Sequence, residues 1–158
     1  MADAFGQMLL DGTGPEIIER DDGFLDALKM VYFAPVAHWP AVERRALRWV
    51  RGRVLDAGVG AGRAALELQR RGRSVAGSNN PYATEDPAHL AYQERNRKRG
   101  RMPGQLRLRV RYRDLIGPWF DYLIVSPDEM GTILEGTEWR IRRLLEESGS
   151  GYYVAILE

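Results

Sequence analysis

The ten residues Val54–Arg63, VLDAGVGAGR, constrain this chain more than any other stretch. Gly58, Gly60 and Gly62 stand at alternate positions after a short apolar run that ends in an acid, RVLD at 53–56. Behind them comes a helical pattern in which Ala61, Ala64, Ala65 and Leu68 share a face. Gly72 is placed to end that helix, and RSVAG after it reads as a second buried strand. Strand, glycine turn, helix and strand occupy about 25 residues, and a parallel βαβ unit is their natural geometry. Glycines at such a turn let the backbone fold tightly and let a ligand approach with no Cβ in the way. The free N–H groups of the following helix favour an anionic group nearby. An ordinary tight turn also uses glycines; the place between a strand and a helix is what points to a ligand.

The rest of the chain has the makeup of an ordinary one-domain globular protein, with 158 residues, 44% hydrophobic and 28% charged. A chain this apolar can bury enough surface to offset its ordering entropy, so disorder is excluded as its dominant state. No stretch approaches the roughly 20 apolar residues of a membrane helix, so no membrane partner is expected. The opening MADAFGQMLLDG carries acids where an export signal is basic, and a cytoplasmic protein is the expectation. With no cysteine, disulfides, thiolate metal sites and a cysteine nucleophile are excluded. The two histidines, His38 and His89, are far apart in sequence, and no metal site is expected.

The net charge of +1 gives no overall attraction to nucleic acid. The cations are 21 arginines and two lysines, Lys29 and Lys98, and nine of them fall between residues 95 and 113 with no acid among them.

The first 50 residues read as helical pieces. Phe5, Met8 and Leu9 share one helical face and Leu25, Leu28 and Tyr32 another, with DGTGPE as a loop between them. PAVERRALRWV, beginning with Pro40 near its first turn, places Val42, Ala46, Trp49 and Val50 on one stripe of a third helix. Beyond the glycine unit, SNNPYATEDPAHL is loop-like, and Pro87 to Lys98 is compatible with a short helix. Gln105 to Arg113 alternates strictly. Leu106, Leu108, Val110 and Tyr112 face one way and Arg107, Arg109, Arg111 and Arg113 the other, as in a half-buried strand. WFDYLIV is a further apolar run. Ser126, Pro127 and Glu129 spell a capping box ahead of a helix that turns Met130, Ile133 and Leu134 inward and ends at Gly136. WRIRRLL and GYYVAILE are the last strands, joined as an antiparallel hairpin through ESGSG.

Several residues admit a chemical role beside a structural one. The arginine face of 107–113, with Arg95, Arg97, Lys98, Arg99 and Arg101 before it, could hold an anionic substrate or nucleic acid, or be a solvated face paired with acids. His89, close to Glu85 and Asp86, is either a general base or a surface histidine near a helix start. Asp121 and Tyr122 sit in a strand and read as structural.

The segment VLDAGVGAG resembles the first motif, V-L-D-x-G-x-G-x-G, of the class I S-adenosylmethionine-dependent methyltransferases. AALELQRRGRSVAG is similar to that family's first helix and the start of its second strand. The pieces EIIERDDGF at 16–24, RMPGQLRLRVRYRDL, WFDYLIVSPDEM and YYVAILE resemble a bacterial subgroup, in which EIIERDDGF belongs to N-terminal helices. The resemblance implies S-adenosylmethionine or S-adenosylhomocysteine as cofactor, bound at Asp56, Ala57, Gly58, Gly60 and Gly62. It implies methyl transfer to a small-molecule acceptor and leaves the catalytic residue unknown. Aligned on the second strand, Asn79 falls where the family has an acid for the ribose hydroxyls, and the amide lacks the charge-assisted contact. Asn79-Asn80-Pro81-Tyr82 also resembles the N-P-P-Y motif of amino-methylating enzymes. The second letter differs and the glycine loop is fewer than 20 residues away, so turn-forming Asn and Pro are the plainer reading.

A full seven-stranded sheet needs about 200 residues, and residues 53–158 supply only 106. The third and fourth strands and their helices are missing, and RSVAG combines second-strand and fifth-strand characters. The expected fold is therefore α/β, a reduced Rossmann-like sheet, parallel at the glycine-loop end and antiparallel at the C-terminal end, in a single methyltransferase-like domain. Residues 1–50 form its helical N-terminal segment, 53–77 the cofactor-binding unit and 78–158 the substrate and sheet part. The uncovered sheet flank leads to a homodimer as the expected state. The alternative is a shortened non-catalytic or engineered scaffold that self-associates.

Overall fold

The computed structural model describes residues 4–12, 15–28, 34–49 and 76–157. The glycine motif Val54–Arg63, the helix expected behind it and the parallel pairing expected around it lie outside the described residues. The chain divides into two compact units, Met1–Phe33 with Glu85–Leu123, and Ala34–Thr84 with Ile124–Glu158.

The first unit is an antiparallel sheet covered by a helix. Its order is β2 (Leu25–Leu28), β1 (Glu16–Arg20), β4 (Gln105–Tyr112) and β5 (Leu115–Ile116), and β6 (Phe120–Leu123) also pairs with β4. The alternation expected of β4 is present: Leu108, Val110 and Tyr112 are buried while Arg107 is exposed and Arg109 and Arg111 are half-buried. The buried face receives α1 (Ala4–Asp11), whose Ala4 and Met8 pack with Val110 and Tyr112, flanked by Phe5, Leu9, Ile18 and Leu115. Complete burial of a side chain the size of Met8 contributes about 2 kcal/mol. Asp11 ties the end of α1 to the end of β4, accepting from the Tyr112 hydroxyl at 3.0 Å and pairing with Arg113 at 3.0 Å. The second helix of this unit, α3 (Pro87–Lys98), starts where expected, with Asp86 as N-cap and proline in the first turn.

The helical readings of EIIERDDGF and of Leu25 and Leu28 are overturned. Glu16–Arg20 and Leu25–Leu28 are the two strands of a hairpin, with Glu19 opposite Leu25 and Ile17 opposite Ala27. The turn is Asp21-Asp22-Gly23, closed by Gly23 N–H to Arg20 O at 2.9 Å and Arg20 N–H to Phe24 O at 2.9 Å, and Gly23 takes φ +87°. An Asp-Gly turn behind β-branched Ile17 and Ile18 is a hairpin signal. Pairing of β1 with β4 outweighs the helical spacing of the leucines. Tyr32 lies outside the described residues.

The second unit contains a three-stranded antiparallel sheet in the order β3 (Ala76–Asn79), β8 (Tyr152–Leu157), β7 (Ile141–Glu146). Since β8 runs antiparallel to both neighbours, β3 and β7 share a direction. The β7–β8 hairpin is as expected, and central β8 buries Tyr153, Val154, Ala155 and Ile156 in succession, as a strand covered on both faces does. Val154 packs on Val42 and Ala46 of α2 (Ala41–Ala46), and Ile156 packs on Trp39 and Leu47. Helix α2 is shorter than its stripe suggested. Pro40 is its N-cap, and Trp49 is 49% exposed beneath the Arg143 guanidinium at 3.6 Å instead of in the core. Helix α4 (Pro127–Leu134) has the full capping box, but Met130 and Leu134 are only half-buried and Ile133 is exposed.

Candidate functional site

Of the residues assigned to the cofactor, Asp56, Ala57, Gly58, Gly60 and Gly62 lie outside the described residues. Asn79 is the last residue of β3, opposite Tyr152 of β8, and its side chain is exposed. It thus stands at the carboxyl end of β3, beside the amino end of the antiparallel β8.

The chain beyond Asn79 is a built turn. The Asn80 side-chain oxygen accepts from the Tyr82 N–H at 3.0 Å, and its carbonyl accepts from the Ala83 N–H at 3.1 Å. The Asn80 N–H donates to Gly151 O at 2.9 Å, which fastens the turn to the β7–β8 hairpin. Gly151 has φ +70°, and a Cβ there would lie 2.5 Å from the Ala83 Cβ, so both the conformation and the close approach require glycine. Asn80 and Pro81 therefore do the turn-making that the plainer reading of N-N-P-Y assigned to them.

The segment leading into α4 lies against the same strands. Buried Tyr153 donates to Val125 O at 2.7 Å, and the Val125 N–H donates to the Ser78 hydroxyl at 3.3 Å. Burial pushes the Tyr153 phenol above its ordinary value, against the opposing hydrogen bond from Ser78. Glu129 accepts from the Ser126 N–H at 2.8 Å to complete the capping box and from the Tyr82 hydroxyl at 2.6 Å. Tyr82 is thereby fixed at both its backbone and its ring tip, three residues beyond Asn79. Sequence reading alone did not foresee the pairing of Tyr82 with Glu129, because 46 residues separate them. Gly77 has a similar logic, since a Cβ there would meet the Tyr152 hydroxyl at 2.4 Å, and that hydroxyl donates to Glu43 at 3.0 Å.

In the first unit, each arginine of the β4 face is paired with a carboxylate, Glu19 serving two of the four. Arg109 donates to both oxygens of Glu19, at 2.7 and 2.9 Å, and Arg111 donates to the same carboxylate. Arg107 pairs with Asp121 at 3.3 Å and Arg113 with Asp11, so the solvated, acid-paired reading of this face holds. Asp121 is structural in this sense. Arg109 also lies over the Trp119 ring at 4.5 Å. Hydrogen bonds from Arg109 and then Arg111 hold Glu19 at about 2, far below an ordinary glutamate, against a small opposing effect of burial.

His89 is occupied as well. Its Nδ1 lies 2.9 Å from Nη1 of Arg20, a buried side chain whose Nε and Nη2 grip Asp22 at 2.8 and 2.9 Å. That nitrogen serves as a structural acceptor, not as a general base. Among the described residues there is no cluster of three metal-ligating side chains. No described helix is long and apolar enough to cross a membrane.

No family model and no curated protein matches the sequence. The structure is similar to the crystal structure of a SAM-dependent methyltransferase from Bacteroides fragilis in complex with S-adenosyl-L-homocysteine. The TM-score is 0.65, over 98% of this chain and 92% of that one, at 15% sequence identity. With both chains covered almost fully, the two are comparable in length, and the small size of this one is shared by that neighbour. At such identity the likeness is one of fold. The chain is thus a mixed α/β protein with a fold similar to that of a SAM-dependent methyltransferase.

Proposed function

We propose that this protein is a compact S-adenosylmethionine-dependent methyltransferase of class I, Rossmann-like type, acting on a small-molecule acceptor. The observation that carries the reading is the coincidence of two independent ones. The sequence holds a strand–G-x-G-x-G–helix pattern at 53–72, and the fold is similar to that of a methyltransferase crystallised with S-adenosyl-L-homocysteine.

In this reading Asp56, Ala57, Gly58, Gly60 and Gly62 hold the cofactor and Asn79 faces its ribose. The chemistry of Asn79 fits that task, since an exposed amide at a strand's carboxyl end offers both a donor and an acceptor to a pair of hydroxyls. Bound S-adenosylmethionine supplies a methyl group already activated on a sulfonium sulfur. What remains for the protein is to align an acceptor in line with that bond and to exclude water around it. The turn that follows Asn79 in the chain is fastened at Asn80, Tyr82 and Gly151.

Calorimetric titration with S-adenosylhomocysteine tests the reading. Saturable binding that is lost in Gly60→Trp supports it. No binding at millimolar cofactor overturns it and leaves a non-catalytic, self-associating scaffold.

A further inference from the structure

We propose that the carboxyl end of α3 and the aromatic side of β6 form a binding surface for single-stranded nucleic acid. The surface lies wholly within the first unit and is independent of the methyltransferase reading.

The four arginines of β4 have carboxylates, and Arg95 pairs with Asp21 at 3.3 Å. The rest of the basic run does not share that state. Residues 97–101 hold four cations and no acid, and all of them are exposed. Arg97 and Lys98 lean back on Glu94, at 3.4 and 3.8 Å, and the partial negative charge of the helix end favours them where they stand. Arg99 and Arg101 lie past that end, and among the described residues neither has an acidic partner. The loop that carries them is held in one shape. Gly100, at φ +68°, donates to Arg97 O and the Arg101 N–H to Asn96 O, both at 2.9 Å. The buried Asn96 amide donates to Pro103 O at 3.1 Å and to Gln105 O at 2.6 Å, and the Met102 N–H donates to the Gln105 side chain at 3.1 Å. A loop fixed in this way loses little entropy when phosphates settle on its arginines.

The aromatic part follows from register. Buried Arg20 is opposite Leu108 and reaches α3 through Ala88 O, so that face of the sheet carries α3. Phe120 and Tyr122 are opposite Leu108 and Leu106, and directly opposed residues share a face. Both rings therefore stand on the side of α3, 40% and 50% exposed. Gln105, to which Asn96 is bonded, is opposite Leu123, so the cationic loop and the end of β6 lie at the same end of the sheet. Cations that track a phosphate backbone beside exposed rings on which bases stack are what a single strand requires. A duplex keeps its base faces inside and has no use for the rings. An anionic lipid surface fits less well, because Asp121, 83% exposed between the two aromatics in sequence, would be carried toward the hydrocarbon with them. Pairing of the β6 backbone edge with a second copy would leave this face open, since the edge points along the sheet and the rings point out of it.

Fluorescence anisotropy of a labelled oligouridylate of about 12 nucleotides, titrated with the full chain between about 50 and about 200 mM salt, tests the surface. Binding should saturate, and the logarithm of its constant should fall against that of salt with a slope of about −3, as about four phosphate contacts on a single strand require. Arg99→Ser with Arg101→Ser should bring the slope to about −1.5. Tyr122→Ala should weaken binding about tenfold and leave the slope unchanged, because it removes a stacking ring and no charge. These side chains are exposed, and circular dichroism should show each variant folded as the wild type is. Absence of saturable binding at the lower salt overturns the proposal. So does binding untouched by the double arginine variant, equal affinity for a duplex with as many phosphates, or a preference for phosphatidylserine vesicles over the oligouridylate.

Discussion

Arg109 grips both carboxylate oxygens of Glu19 from the neighbouring strand, at 2.7 and 2.9 Å, and Arg111 shares one of them. The pair sits where β1 and β4 register, Glu19 directly opposite Arg109. A strand that presents four arginines on one face is thereby joined to its neighbour through the charges that alternation puts outside.

Acid stability follows from that contact. Glu19 is held at about 2 in the folded chain, below its ordinary value of 4.5. A depressed carboxylate contributes stability above its unfolded value and loses it as the pH falls through the folded one. Between 4.5 and 2 the first unit should therefore lose stability, and Glu19→Gln should flatten that part of the profile. Urea denaturation followed by circular dichroism at stepped pH checks this.

Tyr153→Phe should destabilise the protein by about 1–2 kcal/mol. The substitution keeps the ring in its buried place and strips the hydrogen from Val125 O, leaving a carbonyl without that partner. Equilibrium denaturation measures the loss. A neutral outcome would mean that water replaces the phenol.

Gly151→Ala should cost more than about 1 kcal/mol, because the position has positive φ and no room for a methyl group. The damage should be local. The 80–83 turn, hung from Gly151 O, would show faster amide exchange than β7 and β8.

Asn79→Asp should tighten cofactor binding by about 1 kcal/mol if the side chain reaches the ribose, since a carboxylate makes the stronger hydrogen bond. Calorimetry with S-adenosylhomocysteine measures it. No change, or weaker binding, would place Asn79 on a fifth-strand alignment instead of a second.

Light scattering at micromolar concentration should give twice the chain mass of 17.9 kDa. The ground within the described residues is β6, where Phe120, Tyr122 and Leu123 are 40%, 50% and 42% exposed. Apolar strands in that state invite pairing with another chain. A mass near 18 kDa with a concentration-independent melt would refute the dimer.

Elements whose signals are local were legible in the sequence. The alternation of Gln105–Tyr112, the Ser126–Glu129 capping box, the Asp86-Pro87 helix start and the 146–152 hairpin each depend on side chains a few residues apart. The local backbone geometry alone selects strand, cap or turn there. What required the tertiary structure is whatever depends on a distant partner. Leu25 and Leu28 have helical spacing, yet they form a strand by pairing with β1 across the Asp21–Gly23 turn, and β1 is in turn paired with β4, about 90 residues away. The pairing of the arginines with Glu19, Asp11 and Asp121, the contact of His89 with Arg20 and the bond between Tyr82 and Glu129 are likewise contacts between remote segments. Composition can say that such charges need partners, since burying a charge unpaired is costly. Which partner each one finds is decided by the register of the sheet and the packing of the helices upon it.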